Sequence, residues 1–160
     1  MSRIGISGHQ NIPVGELAGI EARIRRVLLD HGADGLVGVG SLAAGADQVF
    51  ARCVLDVGGA LEVVVPCAGY ESTFGADAER RCYESILGAA ALVKRLPFPS
   101  PSEEAFMAAG VVIADSCDLL VAVWDGLPAQ GLGGTADVVS YARSIGREVT
   151  VVWPDGVRRP

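Results

Sequence analysis

The chain has 160 residues, half of them hydrophobic and a fifth charged, and 13 Lys and Arg against 19 Asp and Glu give a formal net charge of −6. That length suits one domain, which buries roughly 70% of the surface of its unfolded chain. The acidic balance argues against a nucleic-acid partner, no apolar run reaches the roughly 18–20 residues that cross a bilayer, and Met1-Ser2-Arg3-Ile4-Gly5 lacks a signal-peptide layout, so a cytoplasmic setting with no membrane partner is expected.

Short apolar runs then alternate with longer amphipathic ones. The first strand is predicted over Arg3–Ser7, followed by Gly8-His9-Gln10-Asn11. Leu17, Ile20, Ile24, Val27 and Leu28 share one helical face, and Gly32 suits a helix stop. A second strand, Leu36–Gly40, leads into Ser41 and Gly45-Ala46-Asp47, then a helical pattern at Val49, Phe50, Cys53, Val54 and Val57. Strands follow at Leu61–Pro66 and Leu92–Leu96, with a helix over 79–90 between them. Prolines make 97–102 irregular. A helix over 103–117, a strand at Leu119–Asp125, a helix over 134–145 stopped by Gly146 and a strand at Val149–Trp153 complete the domain, residues 1–156, and 157–160 read as a tail.

Six such alternations imply an α/β fold: a parallel sheet with helices on both faces. In such sheets ligands bind beyond the carboxyl ends of the strands, where strand order reverses. The residues that follow each strand are therefore the candidates. The fifth strand runs into a loop ending Gly131-Leu132-Gly133-Gly134-Thr135. Glycines let an anion approach the backbone, and a helix N-terminus offers unpaired N–H groups to phosphate. The plainer alternative is that Thr135 only caps the helix and the glycines only make a loop. Neither the P-loop G-x-x-x-x-G-K-[ST] nor the dinucleotide G-x-G-x-x-G signature is present.

His9 is either a ligand contact, with acid–base work as a further role, or a loop histidine bonded to backbone. Asp47 either complements a helix dipole or faces a ligand hydroxyl. A carboxylate at Asp125 beside a phosphate is repulsive, so it should face sugar hydroxyls, a bridging cation or the loop's own N–H groups. Trp124 is a stacking platform or a core residue. Cys53, Cys67, Cys82 and Cys117 form no C-x-x-C pair, and His9 and His31 lie far apart. The cysteines are read as reduced and mostly packed, with no metal site.

Three stretches carry a resemblance: Gly5–Asn11 (GISGHQN), Gly40–Ala51 (GSLAAGADQVFA) and Ser116–Ala142 (SCDLLVAVWDGLPAQGLGGTADVVSYA). The chain resembles the SLOG superfamily, Rossmann-like proteins related to the DNA-processing and cytokinin-activating LOG families, and within it small bacterial members of unassigned role. The resemblance spans residues 4 to about 154. It implies a three-layer, doubly wound parallel sheet of order 3-2-1-4-5-6, with strands one and four flanking the crevice. It also implies a nucleotide or nucleotide derivative at the carboxyl edge, its phosphate on the GGT turn. The implied nucleotide-binding residues are Gly8, His9, Ser41, Gly45, Asp47, Trp124, Asp125, Gly133, Gly134 and Thr135.

Departures bear on activity. Related small members often read Gly-His-Arg where this chain has Gly8-His9-Gln10, which removes a guanidinium from the first loop. The cytokinin-activating enzymes pair an arginine with the glutamate of G-T-x-x-E to cleave an N-glycosidic bond. Here the helix reads Met107-Ala108-Ala109-Gly110, the third residue after Thr135 is Val138, and Asp137 lies about 100° around the helix from it. Whether the chain is an enzyme is thus left open, and no catalytic residue is assigned. A binding or sensing module for a nucleotide is expected, with a nucleotide hydrolase as the alternative. No cofactor is assigned beyond a nucleotide ligand. The high mean hydropathy, +0.38, suggests a homodimer.

Overall fold

In the computed structural model, which describes residues 2–32, 34–129 and 131–159, six strands form one parallel sheet. The strands are β1 (Ser2–Gly8), β2 (Leu36–Gly40), β3 (Ala60–Cys67), β4 (Leu92–Phe98), β5 (Leu119–Val123) and β6 (Glu148–Val151). Between them lie α1 (Leu17–His31), α2 (Ala46–Asp56), α3 (Asp77–Gly88), α4 (Glu103–Ser116) and α5 (Thr135–Ser144), with short 3-10 turns at Val14–Glu16 and Tyr70–Thr73. This is the expected three-layer Rossmann-like architecture.

The strand order corrects the expectation. It is β4-β3-β2-β1-β5-β6, so β4 lies at the far edge beside β3, and β5 rather than β4 flanks β1. The reason is written in β4 itself. Lys94, Arg95 and Pro97 are all exposed, and charged residues and a proline without an N–H suit an edge strand, not a central one. Leu119–Val123, in contrast, is buried at every position, as a strand covered on both faces requires. The prolines also end the strand later than expected: β4 continues through Pro97 to Phe98, whose carbonyl accepts from Ala68 N–H at 3.0 Å.

Winding explains the two layers of helix. The chain steps outward from β1 to β4, and right-handed crossovers place α1, α2 and α3 on one face. It then returns across the sheet to β5 and continues to β6, which puts α4 and α5 on the other. Strand side chains alternate to serve both layers. Ile4, Ile6, Val63 and Val65 pack with Ile20, Ile24, Leu28 and Phe50, whereas Val37, Val39, Val64 and Leu120 pack with Ala109, Ile113, Val138 and Ala142.

Glycines let the second layer pack closely, Gly5 against the sheet and Gly110 between α4 and α5. A Cβ at Gly5 would lie 2.8 Å from Ile113, and one at Gly110 would lie 2.5 Å from Val138. Gly146 closes α5 as expected: its φ is +74°, and the amides of Gly146 and Arg147 donate to the carbonyls of Arg143 and Ala142. Gly32, expected to do the same for α1, has φ −108° instead. Cys53, Cys67 and Cys117 are free and buried, and Cys82 is free and half-buried.

Candidate functional site

The winding reverses at β1, which pairs with β2 on one side and β5 on the other. Chains leaving adjacent strands in opposite directions open a crevice there. The protein has a cleft of about 730 Å³ at that place, within the range of small-ligand sites. Its walls come from the ends of β1, β2 and β3, from α4, from the loop before α5 and from the segment after β6.

Three loops are tied together at the mouth by one residue's backbone. His9 N–H donates to Val123 O at 3.0 Å, and His9 O accepts from Ala46 N–H at 3.2 Å. Two expected ligand residues turn out to make this tie possible. A Cβ at Gly8 would lie 2.5 Å from Ala46, and one at Gly45 would lie 2.3 Å from Gln10 O. Gly45 also has φ +83°, where side chains are strained. Gly8 borders the cleft but Gly45 does not.

The His9 ring is buried between charges. Nε2 lies 3.2 Å from Asp125 Oδ1 and 3.1 Å from the Asp125 amide, and Nδ1 lies 3.3 Å from Arg159 Nη1. The Asp125 N–H donates to Nε2, and the Arg159 guanidinium, which can only donate, faces Nδ1. Trp153 meets the ring edge-on at 5.3 Å. Burial pushes the imidazole below its ordinary pKa; the Asp125 hydrogen bond raises it, and the Arg159 charge lowers it further. His9 is therefore neutral at pH 7 and a loop anchor as well as a cleft residue.

Asp125 resolves its charge problem with protein partners. Burial alone would raise its pKa, but the Leu127 N–H at 3.0 Å, His9 and Arg159 outweigh it and hold the carboxyl below the usual range. Oδ2 lies 3.3 Å from Arg159 Nε, an ion pair without a well-aligned hydrogen bond. Asp125 stands behind the cleft, not in its lining, and Trp124 is likewise absent from it. The Trp124 indole N–H donates to Leu127 O at 2.8 Å and its ring lies under Arg143. It is half-buried and lies outside the lining of the cleft.

On the other side, Ser41 and Asp47 are buried and line the cleft. Asp47 takes backbone N–H bonds from Ala43, at 3.4 Å, and Ser41. These hold a turn in which buried Leu42 adopts φ +60°, an uncommon conformation for a leucine. Gln48 braces the same turn by donating to Leu42 O at 3.2 Å. Burial pushes the Asp47 carboxyl up to about 7, against the pull of those two amides.

The glycine turn lines the cleft with Gly133, Gly134 and Thr135. Its glycines have different reasons. Gly133 has φ +87°, and a Cβ there would lie 2.9 Å from Met107 N, so it packs the turn on the α4 backbone. Gly134 has an ordinary φ of −70° and is itself the N-cap. Thr135 is the first residue of α5 and makes no capping bond; the capping explanation for it fails. Asp137 accepts from Gly133 N–H at 3.3 Å and donates its own N–H to Gly134 O at 3.1 Å, while the amides of Thr135 and Ala136 come too early in the helix for an intrahelical partner.

Two features had escaped the sequence. Tyr70, Phe74 and Phe106 wall one part of the cleft, with Tyr70 within 5.5 Å of Phe74 and 6.3 Å of Phe106 between ring centres. Tyr70 and Phe74 follow β3, where the same carboxyl-end rule pointed. Arg159 also lines the cleft, although residues 157–160 read as a tail; no local signal links it to His9, 150 residues earlier. Pro160 lies outside the described residues.

No family model and no curated protein matches the chain. Solved structures do. DNA processing protein A (DprA) from Streptococcus pneumoniae superposes with a TM-score of 0.68 at 19% identity, over 94% of this chain and 50% of that one. DprA from Helicobacter pylori, which binds single-stranded DNA, gives 0.71 at 14% identity over 99% and 67%. The molybdenum cofactor carrier protein from Chlamydomonas reinhardtii gives 0.56 at 16% identity over 96% and 77%. These proteins share a Rossmann-like fold with this chain. The chain spans half the length of the pneumococcal protein. No helix among the described residues is long and apolar enough to cross a membrane.

The Asp47 carboxyl has a consequence for stability. Its pKa is about 7 in the folded protein against an ordinary 3.8, so between these values the native state binds more protons than the unfolded chain. Stability contributed by the neutral form is then full below about pH 4 and is lost as pH rises through 7. Asp47→Asn should lessen the fall in stability between pH 5 and pH 8 by a few kcal/mol. Urea unfolding of both proteins at the two pH values checks this, and an unchanged difference would contradict it.

Proposed function

We propose that the chain binds a nucleotide or nucleotide derivative in the cleft at the carboxyl edge of the sheet, as a binding or sensing module. One observation carries the reading: Thr135 opens α5 inside the cleft, with a hydroxyl not used for capping. That hydroxyl and the neighbouring amides suit a phosphate, which the helix dipole further favours. The aromatic wall of Tyr70, Phe74 and Phe106 suits a flat heterocycle. The fold neighbours are compatible with this, since one is a carrier of a cofactor and another binds single-stranded DNA. A polynucleotide suits the cleft less well, because Arg159 is the sole Lys or Arg among its described lining residues.

A hydrolase remains the second reading, and Asp47 favours it: a buried carboxyl in the cleft with a pKa of about 7 is suited to acid–base work. One panel separates the two. The four ribonucleoside 5′-monophosphates are titrated against wild type and Thr135→Ala, and the mixtures are assayed for free base and phosphate. Binding without turnover, weakened about 10- to 150-fold by Thr135→Ala, is the expected result. Equal affinity for both proteins contradicts the phosphate site, and released base or phosphate supports the hydrolase. Gly134→Val is a poor probe, because even a Cβ there meets Ala129 at 2.7 Å.

Self-association belongs to the same proposal. Val14, Leu17 and Leu29 are exposed at and along α1, a surface that suits a partner copy. Light scattering at micromolar concentration should give a dimer mass; a monomer mass would overturn this part.

A further inference from the structure

The segment after β6 returns over the sheet edge to the cleft. It is held on the way by three contacts. Trp153 Nε1–H donates to Val157 O at 2.7 Å, Arg23 donates to Trp153 O at 3.0 Å, and the Trp153 ring meets His9 edge-on. The segment ends with the Arg159 guanidinium between Asp125 and His9 and in the cleft lining.

The charges around this position are uneven. The ionisable side chains lining the cleft, among the described residues, are His9, Asp47, Tyr70, Glu103 and Arg159. His9 is neutral at pH 7 for the reasons given above, and Tyr70 is held neutral by burial. Arg159 is thus the positive charge of the cleft. Its Nε meets Asp125 and its Nη1 meets His9, each at 3.3 Å. A guanidinium carries five N–H donors in a fixed fork, so the remaining face can still donate. Asp125 cannot itself meet a ligand, since it stands behind the lining and its oxygens are turned to His9, Leu127 and Arg159.

We propose that Arg159 is the counter-ion of the ligand: its guanidinium, positioned by Asp125, binds the anionic group of a phosphorylated ligand in the cleft. The inference rests on the nucleotide-binding reading and adds the charge that the glycine turn lacks. Arginine is suited to the task because its planar fork matches two phosphate oxygens at once. The proposal also accounts for a buried carboxylate close to an anion site. Asp125 acts as a positioning residue that orients the guanidinium, with one oxygen on His9 and the other on Arg159.

Isothermal titration of the four ribonucleoside 5′-monophosphates and the corresponding nucleosides into wild type, Arg159→Gln and Arg159→Lys tests this. Arg159→Gln should weaken the monophosphates about 10- to 150-fold and leave the nucleosides unaffected. Arg159→Lys should restore part of the loss. Because Arg159→Gln leaves Asp125 without its cation, the pair Asp125→Asn and Asp125→Asn/Arg159→Gln is measured beside it. With the unpaired carboxylate gone, the monophosphate loss between those two proteins should persist. If the wild type binds a monophosphate and Arg159→Gln binds it equally well, Arg159 is not the counter-ion, and the nucleotide reading stands. An equal loss for nucleosides and monophosphates also overturns the inference. If the wild type binds none of the panel, both readings fall.

Discussion

The backbone of His9 is the tie on which the cleft depends. The sheet alone fixes only where the strands end; beyond them, the loops after β1, β2 and β5 have no ladder to hold them. His9 gives its N–H to the end of β5 and its carbonyl to the start of α2, so two loops that diverge from the reversal point are joined by the third. The close approach needs Gly8 and Gly45, since side chains there would meet Ala46 and Gln10 below contact distance. With the backbone fixed, the imidazole is fixed too, and through it Asp125 and Arg159. A chain of buried polar contacts thus runs from the first loop to the last segment.

Acidic residues play a consistent part at this edge. Asp47 accepts from Ala43, Asp125 from Leu127, Asp137 from Gly133 and Glu79 from Ala76, each holding the amide of a residue in a loop or at a helix start. Carboxylates used in this way are satisfied locally, and they explain how an acidic chain can present an anion site. The cost is visible at Asp47, where two amides do not compensate for burial and the carboxyl titrates near neutrality. At Asp125 three partners do compensate, and it stays ionised. The Leu127 amide contributes most, His9 next, and the Arg159 charge adds a smaller share.

Most of the architecture was legible in the sequence, because the six alternations have few right-handed solutions. Strand order was the exception. Periodicity says that Leu92–Leu96 is a strand but not where it sits; the edge position is explained by Lys94, Arg95 and Pro97, whose chemistry suits an edge. The candidate site was legible where a rule of position applied. His9, Ser41, Asp47, Gly133, Gly134 and Thr135 follow strands and line the cleft, and Gly8, which ends β1, lines it too. Gly45, Trp124 and Asp125 also follow strands but shape or brace the loops. Adjacency to a strand end does not say which way a side chain points. Arg159 was beyond reach for a different reason: its partners are distant in sequence, and only the folded segment after β6 brings it to them.

The central claim is that the cleft at the β1–β5 reversal holds a phosphorylated ligand between the glycine turn and Arg159. Amide chemical-shift mapping of the uniformly ¹⁵N-labelled chain, titrated with the tightest-binding ribonucleoside 5′-monophosphate, tests it most directly. The account predicts saturable shifts at Gly133 to Ala136, at His9 and at Ser41, with the Arg159 Nε–H signal moving at the same ligand concentrations. Shifts confined to α1 or the exposed β4 edge, with the turn and Arg159 unmoved at saturation, would contradict it.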